Sequence, residues 1–298
     1  MMTDHLGDDR PAITQDMINL FDEYTHLSLD RRAFMDNLAK LAGSMTAATT
    51  AATLMASNAQ AQSLTSETDA NLTISDVTYP GTKGEVKGYL AVPTAGGPRG
   101  AVIVVHENRG LNAHIKDVAR RVALEGFVAL APDFLSDLGG TPADEEAARG
   151  LFGNLSATDV AANGVAAIAY LKSLQNVTGK VGAMGFCWGG GTVNNLAVAS
   201  PDLAAAVAYY GGQPAAEGVP RIKARLMLHY AGLDDRINAG IPAFEDALKA
   251  VGTDYQLFMY DGVNHAFNND TSKARYDKAA ANLAWSRTIA LFRETLSA

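Results

Sequence analysis

The chain has 298 residues, of which 48% are hydrophobic, and it carries a formal net charge of −8. This length is sufficient for one large α/β domain with a buried core, and the scattered Lys and Arg residues give no support to a nucleic-acid partner. The single cysteine excludes an internal disulfide and a zinc site built from several cysteines, and no apolar run of about 18 residues predicts a membrane span.

The first 65 residues differ in composition from the rest of the chain. An acidic, polar stretch leads to Arg31 and Arg32, which precede an Ala/Thr-rich segment that ends in a small-residue cleavage site at Ala61. This segment resembles a twin-arginine export signal cleaved after Ala61, which predicts a periplasmic or otherwise exported protein. The alternative is a cytoplasmic protein whose N-terminal helices pack on the main domain or on a partner subunit. We therefore expect an N-terminal extension over residues 1–65 and a main domain over residues 66–298.

Strands and helices alternate through the main domain. Two runs rich in Val, Ile, Thr and Tyr, 71–80 and 84–94, flank a turn at Gly81–Gly84 and predict a hairpin. The remaining predicted strands are 101–107, 128–134, 181–187, 204–212, 225–232 and 255–262, and the predicted helices are 115–126, 143–155, 157–175, 191–200, 239–252 and 272–297. This alternation predicts a mostly parallel, doubly wound sheet with helices on both faces and an antiparallel edge.

The only cysteine occupies a sharp turn in the stretch VGAMGFCWGGG. Cys187 lies between a predicted strand and a predicted helix, and Gly185 and Gly189 complete the pattern G-x-C-x-G. This is the nucleophile elbow of strand–turn–helix hydrolases with cysteine in place of serine, where a side chain at either glycine would collide with its neighbours. The helix N-terminus favours a thiolate, and the Trp188 N–H would face a developing oxyanion. The alternative is a buried structural cysteine.

A cysteine nucleophile needs a base and an acid that orients the base. In this architecture they follow the nucleophile in the order acid, histidine. His229 lies inside a predicted strand, which favours a role in the core, whereas His265 lies in a loop after the last strand and is the predicted base. Asp234 and Asp235 follow the preceding strand, and spacing alone leaves both open as the acid; either could instead cap the next helix.

The end of the strand 101–107 contributes a second group of candidates. Glu107 would point into the same crevice and could exchange a proton with the thiol, and the Asn108 N–H could complete an oxyanion hole. The alternative for Glu107 is a surface salt bridge with Arg109. No H-E-x-x-H zinc motif follows His106, and the glycine run 189–191 lacks the Lys and Ser/Thr of a phosphate-binding loop. Thiolate chemistry requires no metal and no organic cofactor.

Four motifs together resemble the dienelactone hydrolase family of α/β-hydrolases. They are VVHENRGLNAHIKDVARRVALEGFVALAPD, GFCWGGG, AGLDDRI and GVNHAF, and the resemblance covers roughly residues 70–298. It implies the α/β-hydrolase fold and a triad in which Cys187 is the nucleophile, His265 the base and Asp234 the acid. It also implies that Glu107 contacts the resting thiol.

The resemblance also bears on the substrate. It implies that the backbone N–H groups of Trp188 and Asn108 form the oxyanion hole. Dienelactone-cleaving members hold the substrate carboxylate with arginines, one of them four residues beyond the histidine, where this chain has Asn269. Removal of a guanidinium removes a strong carboxylate clamp. The candidates that could replace it are Arg109, Arg236 and Arg275.

These observations predict a hydrolase of a small ester or lactone that acts through a covalent acyl-enzyme. The predicted partner is therefore a small-molecule substrate. One alternative is a thioesterase acting on a small acyl compound. Another is a redox-reactive thiol protein without hydrolytic activity, because an exposed thiolate is also oxidisable. The oligomeric state has no signature in the sequence.

Overall fold

In the computed structural model, residues 12–26, 29–56 and 64–297 are described. The chain divides into two units, each with its own internal contacts. One unit comprises Met1–Ala61 with Asn269–Tyr276, and the other comprises Gln62–Asn268 with Asp277–Ala298. The predicted cleavage point after Ala61 lies outside the described residues.

The described part of the first unit contains three helices around a small apolar core. They are α1 (Gln15–Thr25), α2 (Arg31–Ala42) and α3 (Met45–Ala56). Its buried cluster consists of Met17, Ile18, Phe21, Tyr24, Phe34, Leu38, Ala48, Ala51 and Met55. The Asp30 carboxylate accepts a hydrogen bond from the Ala33 N–H at 2.9 Å, so the paired arginines form the first turn of a capped helix. Arg275 belongs to this unit and lies 5.2 Å above the Phe21 ring.

The second unit is built on one eight-stranded sheet. Its strands are β1 (Leu72–Pro80), β2 (Glu85–Pro93), β3 (Arg99–Val105), β4 (Val128–Pro132), β5 (Val177–Phe186), β6 (Leu203–Tyr209), β7 (Arg225–Ala231) and β8 (Tyr255–Tyr260). They lie in the order β1-β2-β4-β3-β5-β6-β7-β8. The β1–β2 and β2–β4 pairs are antiparallel and the other pairs are parallel. The predicted sheet and its antiparallel edge are therefore confirmed.

Helices cover both faces of this sheet. They are α4 (Ala113–Leu124), α5 (Glu145–Leu151), α6 (Ala157–Ser173), α7 (Trp188–Ala199), α8 (Asp235–Asn238), α9 (Ile241–Val251) and α10 (Lys278–Leu296), with short 3₁₀ segments at Ser136–Leu138, Phe152–Asn154 and Ala216–Arg221. In β3, Val102 and Val104 join one apolar cluster with α4 and α10, and Ile103 joins another with α6, α7 and α9. Burial on both faces explains why this strand is continuously apolar.

The predicted hairpin and the predicted closing helix have different outcomes. The Gly81 N–H donates to the Gly84 carbonyl at 2.7 Å, which closes the β1–β2 turn as predicted. The closing helix begins at Lys278 and not at residue 272. The reason is local, because the Asp277 side chain accepts from the Ala280 N–H at 2.8 Å and so starts the helix there.

Among the described residues, none of the helices has both the length and the apolar composition that a membrane crossing requires.

Candidate active site

Cys187 occupies the tight turn between β5 and α7. Its backbone has φ 56° and ψ −117°, a conformation that costs on the order of 1–3 kcal/mol for a residue with a side chain. Two hydrogen bonds hold it there, since the Cys187 N–H donates to the Tyr209 carbonyl at 3.0 Å and the Cys187 carbonyl accepts from Gly191 at 3.2 Å. Cys187 is 7% exposed. The predicted strand–turn–helix context is therefore present.

The glycines around Cys187 are required by close backbone approach. A Cβ on Gly185 would lie 2.3 Å from the carbonyl oxygen of Gly189, and a Cβ on Gly189 would lie 2.4 Å from that of His106. These distances are far below normal carbon–oxygen contact, as the sequence analysis expected. The structure adds Gly190, whose Cβ would lie 2.6 Å from the Tyr209 carbonyl oxygen. Each contact is with backbone, which cannot rotate away.

His265 and Asp234 form a buried pair at the same edge of the sheet. The His265 Nδ1 atom and the Asp234 Oδ2 atom are 2.5 Å apart, and the side chains are 5% and 1% exposed. A ring nitrogen of His265 lies within 4.8 Å of the Cys187 Sγ atom. The structure thus brings together three of the predicted residues, which follow the carboxyl ends of β5, β7 and β8.

The carboxylate of Asp234 has a second hydrogen bond. Its Oδ1 atom accepts from the Ile237 N–H at 3.2 Å, so Asp234 also caps α8. The two roles that the sequence offered as alternatives therefore coexist in one side chain. Asp235, which spacing could not distinguish from Asp234, is exposed in the first turn of α8.

Backbone strain among the described residues is concentrated around these side chains. The residues other than glycine with positive φ are Cys187, Tyr210 and Ala266, at 56°, 39° and 66°. Ala266 directly follows His265, and the Tyr210 ring centroid lies 4.9 Å from that of His265. Strain of this kind persists where surrounding structure over-determines it, and it clusters at functional sites.

Glu107 and Asn108 leave the sheet beside Cys187. Strands β3 and β5 are paired as far as Val105 and Gly185, so residues 107 and 187 each lie two positions beyond the last pair. Glu107 is 9% exposed, and Asn108 is half-buried. Trp188, the other predicted oxyanion donor, is the first residue of α7. Glu107 is thus a buried acidic residue at the same edge of the sheet as Cys187.

The arginines considered for substrate binding have different surroundings. Arg109 forms an ion pair with Glu145 at 2.6 Å, and Arg236 is exposed on α8. Arg275 belongs to the helical unit, where it pairs with Asp22 at 3.9 Å. In the same unit, the Asn269 side-chain oxygen accepts from the Thr271 hydroxyl at 2.6 Å and from its N–H at 3.1 Å. Asn269 therefore closes a local turn.

His229 is a core residue, as the sequence analysis expected. It is fully buried, with Nδ1 3.0 Å from the Tyr260 hydroxyl and Nε2 3.2 Å from the Thr288 hydroxyl. Burial, with a contribution from the Arg287 charge, lowers the pKa of His229 to about 3. The imidazole is therefore neutral at physiological pH, and its two hydroxyl partners account for both ring nitrogens.

The tyrosine pair at the end of β6 was not predicted from the sequence. The Tyr209 carbonyl holds the Cys187 N–H, and the Tyr210 ring lies against His265. The available signal was the dipeptide itself, since Tyr-Tyr before Gly211 and Gly212 terminates a strand next to the elbow. The contacts could not be predicted, because they depend on which strands are neighbours.

Comparison with known proteins agrees with the fold and the motifs. The model of the Dienelactone hydrolase family matches residues 86–296. A Synechocystis sp. protein with the provisional name carboxymethylenebutenolidase is 34% identical over 239 residues, which is 74% of this chain and 96% of that protein. The Protein usf of Aquifex pyrophilus is 37% identical over 230 residues, 72% of this chain and 95% of that protein.

A solved structure extends the likeness to three dimensions. It is a dienelactone hydrolase-like promiscuous phosphotriesterase, P91, from metagenomic libraries, with a TM-score of 0.68 and 28% identity over 76% of this chain and 100% of that one. The family model covers most of the chain, and Cys187, Asp234 and His265 follow the carboxyl ends of β5, β7 and β8. The chain therefore belongs to the dienelactone hydrolase family, has the α/β-hydrolase fold and is an ester or lactone hydrolase.

Proposed function

We propose that this protein hydrolyses a small ester or lactone through a thioester on Cys187, with His265 as the base and Asp234 as its orienting acid. The observation that carries the proposal is the buried Asp234–His265 pair at 2.5 Å, with a ring nitrogen of His265 within 4.8 Å of the Cys187 Sγ atom. Nucleophile, base and acid in this order and proximity are the functional signature of triad hydrolases.

Asp234 would determine which nitrogen of His265 carries the proton. A carboxylate is an acceptor only, so its hydrogen bond to Nδ1 requires the proton there and leaves Nε2 as the basic nitrogen. The same carboxylate would stabilise the imidazolium that forms when His265 takes the thiol proton. Because both side chains are almost fully buried, water screens this interaction weakly.

The elbow would present the sulfur to the substrate in reactive form. Cys187 directly precedes α7, and the N-terminus of that helix favours a negative charge on sulfur. The positive φ of Cys187 projects its side chain from the turn, and the glycines at 185 and 189 permit the close packing that holds the turn. Glu107, which is buried and leaves β3 at the same edge of the sheet, would accept a hydrogen bond from the resting thiol, and His265 would take that single proton when the thiolate forms.

The first half-reaction would proceed by acyl transfer to sulfur. The Cys187 thiolate attacks the carbonyl carbon, a C–S bond forms, and the carbonyl electron pair moves to oxygen. The N–H groups of Asn108 and Trp188 would hold this oxyanion, and loss of one such donor typically costs about 10²- to 10³-fold in kcat. As the oxyanion collapses, the C–O bond breaks and the imidazolium of His265 protonates the departing alkoxide.

The second half-reaction would restore the enzyme. His265 removes a proton from water, the hydroxide attacks the thioester carbon, and the C–S bond breaks to release a carboxylic acid and the thiolate. In a lactone, the alcohol and the acid remain parts of one molecule. These steps use only side chains and backbone amides of this chain, together with water.

A panel of 4-nitrophenyl esters and small lactones tests the proposal with the full chain. Wild type should turn over at least one member, and Cys187→Ala and His265→Ala should lose turnover while keeping the wild-type circular dichroism and melting temperature. Hydrolysis that persists undiminished in Cys187→Ala would overturn the mechanism. Retention of hydrolysis in His265→Ala alone would remove the base assignment and leave the nucleophile.

A further inference from the structure

His106 is a fully buried histidine at the end of β3, directly before Glu107 and Asn108. Its Nδ1 atom lies 2.7 Å from the Glu107 carbonyl oxygen. Its Nε2 atom accepts a hydrogen bond from the Phe134 N–H at 3.2 Å. Both ring nitrogens are therefore occupied by backbone groups.

These two partners define the protonation state of the ring. The Phe134 N–H can only donate, so Nε2 must be the bare nitrogen, and the Glu107 carbonyl can only accept, so Nδ1 must carry the proton. His106 is consequently a neutral imidazole in a single tautomer. Burial, the largest influence, lowers the pKa of His106 and favours the same neutral form.

The Glu107 carbonyl shares a peptide unit with the Asn108 N–H. A trans peptide is planar, and its C=O and N–H bonds point in opposite directions. The hydrogen bond from His106 therefore fixes the direction of the Asn108 N–H. A second, longer hydrogen bond from the Gly110 N–H, at 3.3 Å, holds the same carbonyl.

The other contact of His106 is with Trp188. The two rings are stacked, with centroids 5.3 Å apart and an angle of 10° between their planes. Phe134 and Phe152 pack edge-on against the indole at 5.9 and 4.9 Å. The His106 side chain thus contacts the peptide unit that carries the Asn108 N–H and the indole ring of Trp188, and these two residues supply the amides of the oxyanion hole in the proposed mechanism.

We propose that His106 is a positioning residue that aligns the Asn108 amide toward the developing oxyanion through its hydrogen bond to the Glu107 carbonyl. The inference rests on the proposed function, because the oxyanion hole is defined by it. His106 then acts on the step that puts negative charge on the carbonyl oxygen, and it leaves the reactivity of the Cys187 sulfur unchanged.

Two substitutions at His106 separate its hydrogen bonds from its ring. His106→Phe retains an aromatic ring against Trp188 but removes both hydrogen bonds. His106→Gln loses the ring but offers an N–H for the Glu107 carbonyl and an oxygen for the Phe134 N–H. His229→Phe is the matched control, since His229 is equally buried and also has two hydrogen-bonded ring nitrogens.

Each full-chain variant is assayed for ester hydrolysis and for alkylation of Cys187 by iodoacetamide. Alkylation displaces iodide at a saturated carbon and forms no oxyanion, so it reports the thiol alone. We expect kcat of His106→Phe to fall about 10- to 100-fold with KM changed less than about threefold and the alkylation rate unchanged. His106→Gln should have most of the wild-type kcat. His229→Phe should have the wild-type kcat even if its melting temperature is lower.

The contrary outcomes are distinct. Full kcat in His106→Phe, equal losses in His106→Phe and His106→Gln, or an equal loss in His229→Phe would each overturn the positioning role. Failure of the proposed function is separable from these, because it appears as an inactive wild type or an active Cys187→Ala.

Discussion

Replacement of Asp234 by asparagine isolates the role proposed for its charge. The Oδ1 atom caps α8 through the Ile237 N–H at 3.2 Å, and Oδ2 binds His265 Nδ1 at 2.5 Å. Asparagine is as good an N-cap as aspartate, so its oxygen should stay on the Ile237 N–H and its NH₂ group should face His265. The asparagine NH₂ and a protonated Nδ1 are both donors and cannot bond to each other, so the neutral His265 must carry its proton on Nε2. A protonated Nε2 can no longer act as the base.

The expected loss follows from the tautomer and the charge together. In a serine triad the same change lowers kcat by about 10⁴-fold. A thiol ionises more readily than a hydroxyl, so we expect about 10³- to 10⁴-fold here, equivalent to roughly 4–5.5 kcal/mol of transition-state stabilisation. The free energy of unfolding should change little, because the cap on α8 is retained.

The assay is kcat for the best ester of the panel, measured beside a thermal melt. Asp235→Asn is the matched control, since Asp235 is the neighbouring residue, is exposed, and should keep kcat within about twofold. A variant at Asp234 with near wild-type kcat, or a large loss at Asp235, would refute the assignment of the acid. A large fall in melting temperature at Asp234 would refute the reasoning about the cap.

Three further predictions follow from the same geometry. Gly189→Ala should abolish activity and lower the melting temperature, because its Cβ would lie 2.4 Å from the His106 carbonyl oxygen. Gly150→Ala is the control and should be neutral, because its Cβ would have nothing within 4 Å. Equal activity and equal melting temperatures of the two variants would contradict the steric argument. His229 has a pKa of about 3 when folded and about 6.5 when unfolded, so the unfolded chain binds a proton first as pH falls and stability decreases between these values. The wild-type free energy of unfolding in urea should therefore fall between about pH 7 and about pH 4.5, and in His229→Phe that fall should be smaller by about 2–3 kcal/mol. An equal fall in the variant and the wild type would contradict this. We also propose export, which predicts an intact mass without the first 61 residues for protein isolated from its native cells; a full-length mass would contradict it.

The parts of the fold that could be predicted are those determined by neighbouring residues. The apolar run of β3 is continuous because both faces are buried, and the Gly81–Gly84 turn closes through its own backbone. The elbow was predictable because the pattern G-x-C-x-G is local, and a Cβ on Gly185 would meet the Gly189 carbonyl of the same turn. The obstacle at Gly189 is the His106 carbonyl on the neighbouring strand β3, which only the sheet order brings close. The start of α10 differs from the prediction, because the Asp277 side chain caps the helix at Lys278.

The details of the site depend on contacts between distant parts of the chain. Spacing could not choose between Asp234 and Asp235, because the local turn after β7 decides which carboxylate faces His265. His106 gave no sequence signal beyond its place before Glu107. Its contacts with Phe134 and Trp188 exist because β3 lies between β4 and β5 in the sheet.

The most direct test of the central claim is to look for the acyl group on Cys187. Wild-type protein and Cys187→Ala are mixed with 4-nitrophenyl acetate, quenched in acid within the first turnover, digested and analysed by mass spectrometry. We predict one acetyl group on the peptide that contains Cys187, which disappears as turnover proceeds and is absent from the variant. Turnover of the ester by wild type with no acetyl group on Cys187, together with equal turnover by Cys187→Ala, would contradict the mechanism.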